Sequence, residues 1–152
     1  MSKQIVKSLM MMTLAVGLAL ASTVASANGP SLLVTADIPF DFIIADQTFS
    51  SGKYTVRKVS DDGKGLRISS VDGKSSVMRL SNLAVEKSKK PNARLVFHRY
   101  GQQYFLAEVW SGDTYGRQLI ECKKERRLRQ EQALIASGKS SYEVVEVVAM
   151  VR

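Results

Sequence analysis

The chain has 152 residues, with 22 lysines and arginines against 14 aspartates and glutamates, one histidine and one cysteine. A lone cysteine excludes an internal disulfide, and one histidine beside one cysteine excludes zinc sites built on two or more of either residue.

Residues 1–27 stand apart in composition. MSKQIVK is a short basic start, SLMMMTLAVGLALASTV an apolar run and Ala25-Ser26-Ala27 a small-residue site, the three parts of a cleavable secretory signal. Gly17, Ser22 and Thr23 dilute the apolar run, which favours cleavage over retention as a membrane anchor. No cysteine lies near Asn28, which disfavours a lipid-anchored form. The expected product is a periplasmic or secreted single β-rich domain spanning 28–152. Loss of Lys3 and Lys7 lowers the formal charge from +8 to +6. A domain of that length buries roughly two thirds of its unfolded surface, so it needs no metal or disulfide staple.

The mature chain opens with VTADIPFDFII (34–44), where Ile38, Phe40 and Phe42 alternate with Pro39 and Asp41. Period two predicts a half-buried strand, and proline places it at an edge, a start or a bulge. Ser51-Gly52 marks a turn, and Tyr54 and Val56 alternating with Lys53, Thr55 and Arg57 predict a second strand. Asp61-Asp62-Gly63-Lys64-Gly65 and Asp72-Gly73 are hairpin signals of type I′ character, so GLRISSV and SSVMRLSNLAV read as consecutive antiparallel strands. The spaced carboxylates and distant glutamate of a calcium loop are missing. EKSKKPNA (86–93) reads as a loop.

LVFHRYGQQYFLAEVW (95–110) holds the only histidine and the only tryptophan. Gly101-Gln102 suits a type II′ turn, which sets Arg99 opposite Tyr104, His98 opposite Phe105 and Phe97 opposite Leu106. A one-residue shift to Tyr100-Gly101 would instead pair Phe97 with Tyr104. SGDTYG (111–116) reads as a loop, and a helix is expected over about 117–137, ended by Gly138. Ile120, Leu128 and Ile135 give it one narrow apolar stripe, fitting a helix laid across a sheet or barrel mouth. Glu125 and Arg129 form a favourable i,i+4 pair. Arg117 to Arg129 carries six basic residues against two acidic ones. That run is a solvated face or an anionic-surface contact, with Lys123, Lys124, Arg126 and Arg127 as its candidate residues. A final strand over about 141–151 is apolar on both faces except Glu143 and Glu146, so it is central in the sheet or covered by a partner. The fold class expected is mainly β, an antiparallel meander forming a sandwich or partly closed barrel, with one basic helix near the C-terminus.

Catalytic constellations are thin. Nothing matches Gly-x-Ser-x-Gly, a Walker loop or Gly-x-Gly-x-x-Gly. His98 could serve a spatial triad, but its place opposite an aromatic is ordinary for a half-buried strand residue. Asp41, Glu108 and Asp113 read as surface charges rather than glycosidase carboxylates. Cys122 is expected as a free thiol or an intermolecular pair.

The blocks IPFDF (38–42), SGKYTV (51–56), LVFHRYGQQYFLAEVW (95–110) and GRQL (116–119) resemble those of small secreted proteins of unknown function abundant in acidobacteria. The resemblance implies an exported bacterial β domain without an assigned activity, and it carries no functional residues. The sequence thus predicts a non-enzymatic binding or envelope-associated structural module without cofactor, metal or nucleic-acid partner. The alternative is a lipocalin-like carrier of a small apolar ligand, with Phe97, Phe105, Leu106 and Trp110 as candidate lining residues.

Overall fold

A computed structural model describes residues 32–86, 92–135 and 142–151 of the chain. The signal segment and residues 87–91 of the lysine-rich loop lie outside the described residues, as does Gly138.

The described chain forms ten strands and a helix: β1 (Leu32–Ile38), β2 (Phe42–Ile44), β3 (Gln47–Phe49), β4 (Gly52–Lys58), β5 (Gly65–Ser70), β6 (Ser76–Val85), β7 (Ala93–Tyr100), β8 (Gln103–Ser111), β9 (Tyr115–Leu119), α1 (Lys123–Ile135) and β10 (Glu143–Met150). The strand order is β3-β2-β8-β7-β10-β1-β4-β5-β6-β9, and β8 also pairs with β9. This closes an eight-stranded antiparallel barrel, with β2 and β3 as additions. Of the two expected architectures, the barrel is the one formed. Closure follows from β8 sharing one edge between two partners: Glu108–Trp110 pair with β9, and Phe105 pairs in parallel with Ile43 of β2.

Pro39 divides the first predicted strand, because it cannot donate a ladder hydrogen bond and the chain leaves β1 there. The alternation nevertheless survives the break. Ile38 and Phe42 are in the core, and Phe40 packs against it, stacked on Tyr104 at 4.0 Å. Val34 and Ile38 of β1, Val56 of β4, Leu66 and Ile68 of β5, Leu95 and Phe97 of β7 and Phe42 of β2 are all buried in one cluster.

The β5–β6 hairpin forms where Asp72-Gly73 predicts it, but not through a type I′ turn. Only Gly73 has positive φ there, and its N–H donates to the Ser70 carbonyl at 3.1 Å. The type I′ geometry occurs instead at Ala45-Asp46, both at positive φ, between β2 and β3. In the β7–β8 hairpin the register is the one centred on Gly101-Gln102, with His98 opposite Phe105 and Phe97 opposite Leu106.

The helix starts later than expected. Arg117–Leu119 belong to β9, which pairs with both β6 and β8, so SGDTYG shortens to a tight connection. Ladder hydrogen bonds on both sides outweigh the helical pattern of this segment. β10 is central, between β7 and β1. Its inward residues Val145, Val147 and Ala149 pack in the core, while Val144, Val148 and Met150 are exposed outside.

Candidate functional site

The β7–β8 hairpin faces two environments. Cross-strand partners share a face of the sheet. Phe97 and Leu106, which pair, point into the barrel and join the main cluster. His98 and Phe105 also pair but lie on the outer face, where Phe105 packs with Ile43, Tyr100 and Cys122 beneath the helix. A β-bulge follows: Val96 pairs with Glu108 while Phe97 pairs with Leu106, leaving Ala107 as the extra residue. The parity of β8 therefore reverses at Ala107, and Trp110 faces outward opposite Arg94. The four candidate lining residues do not share one cavity: Phe97 and Leu106 are inside, Phe105 and Trp110 outside.

The helix is held to the barrel wall rather than across its mouth. Leu128 and Tyr142 pack on the Phe105 cluster. The His98 ring packs against Tyr142 at a tilt of 33°, centroids 4.1 Å apart, and its Nδ1 hydrogen-bonds the Glu125 carboxylate at 2.8 Å. Glu125, only 5% exposed, takes His98 as its partner in place of the expected Arg129. Arg129 turns to Glu121 in a bidentate contact at 2.8 and 3.2 Å. Ile120 precedes the helix and is exposed. Burial pushes the Tyr100 phenol well above its ordinary pKa, reinforced by the Glu125 and Glu121 carboxylates. Cys122 is free and buried, and its burial likewise raises the thiol pKa. That burial leaves little surface for an intermolecular pair.

Trp110 is 4% exposed although it lies outside the barrel. Its Nε1 donates to Glu108 at 2.8 Å, and the Arg94 guanidinium sits 4.9 Å from its ring centroid. Arg94 in turn pairs with Glu86 and contacts Glu146 at 3.5 Å. The other sequence candidates are also engaged locally. Asp41 accepts from the Ser51 N–H at 2.8 Å, and Asp113 from the Ser111 hydroxyl at 3.0 Å. Lys123, Lys124, Arg126 and Arg127 are all exposed on α1, the disposition a basic contact face requires.

Both barrel ends carry a cleft. At one end the β2–β3 hairpin inserts Phe42 and Phe49, Phe42 meets Tyr54 edge-on at 4.9 Å, and a cleft of about 660 Å³ opens beside them among Thr48, Phe49, Lys53, Tyr54 and Ser70. At the other end, a cleft of about 460 Å³ opens among Leu33, Lys58, Leu83, Val109, Tyr115 and Arg117, with Asp113 on its wall. None of these except Asp113 stood out in the sequence as a site residue. The available signal was parity: Lys58 continues the inward series Tyr54, Val56, and Arg117 precedes Leu119 by two. Among the described residues no group of three or more His, Cys, Asp or Glu side chains is placed to hold a metal ion.

Comparison with known proteins finds no matching family model, curated protein or solved structure.

Proposed function

We propose that this protein is an exported, non-enzymatic β-barrel module that works by binding at its surface, in association with the bacterial envelope. The observation that carries this reading is the packing of the barrel. Val34, Phe42, Leu66, Ile68 and Phe97 are all 0% exposed, so no water-sized gap adjoins them. An enclosed carrier site needs such space, and this packing argues against the lipocalin-like alternative. The groups that could do chemistry are engaged in holding the fold: His98 and Glu125 fasten the helix, Glu108 orients Trp110, and Cys122 is buried.

Export is supported by the three-part signal pattern of residues 1–27, and envelope association by the exposed cations of α1. We place the protein with the small secreted acidobacterial proteins on the strength of its IPFDF, SGKYTV, LVFHRYGQQYFLAEVW and GRQL blocks. A fusion of residues 1–40 to alkaline phosphatase tests export, since that enzyme matures only in an oxidising compartment. Active phosphatase is expected; an inactive fusion retained in the cytoplasm contradicts the reading.

A further inference from the structure

We infer that the barrel end between the close of β4 and the start of β9 binds a monoanionic amphiphile, a carboxylate with an apolar tail of medium length. This deepens the reading of the protein as a binding module and rests on it.

The cleft lies where β4 ends and β9 begins. Tyr54 and Val56 point into the core, so Lys58, next in the same parity, points into the barrel end. Arg117 and Tyr115 share the parity of buried Leu119. Two cations thus enter the barrel mouth from opposite walls. Neither Lys58 nor Arg117 has a carboxylate ion-pair partner among the described residues, and the Arg117 guanidinium lies against the Asp62-Gly63 turn, donating to the Asp62 backbone carbonyl at 2.7 Å. Two inward-pointing cations outside any ion pair, beside apolar walls and a single carboxylate, leave a net positive potential that an anion would satisfy.

The rest of the lining specifies the tail. Leu33, Val109, Leu83 and Tyr115 offer apolar surface, with Leu83 and Tyr115 each 60% exposed although they belong to barrel strands. Large apolar groups left open in a concave site mark a surface awaiting a ligand more than scattered exposure does. About 460 Å³ falls within the range of small-molecule clefts, roughly 300–1,000 Å³. Asp113 on the same wall sets the charge of the ligand. Two cations and one carboxylate leave a single positive charge, which complements a monoanion and disfavours a dianion.

Isothermal titration calorimetry with decanoate, acetate and decyltrimethylammonium tests this directly. Decanoate is expected to bind with 1:1 stoichiometry, while acetate, lacking the tail, and the cationic amphiphile produce no saturable heat. Lys58→Gln should weaken decanoate about tenfold, the order expected for one charge-assisted contact. Leu83→Glu, at a solvent-exposed position the fold tolerates, should abolish binding with an unchanged far-UV circular dichroism spectrum. Absence of decanoate binding, equal binding of the cationic amphiphile, or indifference to both substitutions would overturn the inference. None of those results would touch export, which the phosphatase fusion decides separately.

Discussion

Asp46, in the turn between β2 and β3, accepts a hydrogen bond at 2.9 Å from the backbone N–H of Lys124 in the first turn of α1, 78 residues away. The first helical hydrogen bond runs from Arg126 N–H to the Cys122 carbonyl, so Cys122 occupies the N-cap. A thiol caps poorly, and a carboxylate from another hairpin takes that role. The small appended hairpin therefore fixes where the helix begins.

The hydrogen bonds from Lys124 and then from the Cys122 thiol lower the Asp46 pKa below its ordinary 3.8. Because the folded value is the lower one, the ionised cap contributes its full stabilisation above pH 3.8 and loses it as pH falls through the folded value. Asp46→Ala should lower the melting temperature at pH 7 and remove that acid-sensitive step. Asp46→Asn should retain much of the cap while also losing the step. Thermal melts between pH 2 and 7, followed at 222 nm, check both.

The same turn holds Ala45 at φ 55°, a left-handed conformation costing an L-residue about 1–2 kcal/mol. Ala45→Gly relieves that cost but adds freedom to the unfolded chain. The expected net is a stabilisation of about 0.5–1 kcal/mol in urea unfolding.

Gly116 lies directly under Trp110. A Cβ at this position would sit 2.4 Å from the indole ring. Since Trp110 is also held by Glu108 and Arg94, it cannot move aside without breaking those contacts. Gly116→Ala is expected to destabilise by about 1–3 kcal/mol and to shift Trp110 fluorescence to the red as the ring becomes exposed.

Removing Glu125 strips His98 of its carboxylate partner in a half-buried setting. Glu125→Ala should destabilise by about 1.5–3 kcal/mol, the range of hydrogen bonds to charged groups. Glu125→Gln, which still offers an acceptor, should cost less. Denaturant titration of the two variants separates lost packing from the lost polar contact.

Much of the barrel was legible because short-range rules governed it. Tyr54 and Val56 alternate inward as period two requires, Gly101-Gln102 sets the hairpin register, and the two Asp-Gly turns separate β4, β5 and β6. What escaped was decided by partners distant in sequence. The bulge at Ala107 reverses which side of β8 faces the core, so Trp110 left the interior that simple alternation from Leu106 assigned it. β9 carries a pattern compatible with helix and becomes a strand because β6 and β8 both pair with it. Glu125 gives up its local partner Arg129 for His98, from a strand 27 residues earlier. Lys58 and Arg117 belong to β4 and β9, and only closure of the barrel brings them to one cleft. Asp46 gave no sign of its role, since nothing local connects a short β-turn to the start of a helix.

Native mass spectrometry of the protein isolated from the envelope of its own host separates an exported surface-binding module from an enclosed carrier, because one spectrum reports both processing and cargo. The expected species is a chain beginning at Asn28 and free of any stoichiometric uncharged apolar molecule. A full-length chain beginning at Met1, or a neutral apolar ligand bound one to one and released only on denaturation, would contradict it.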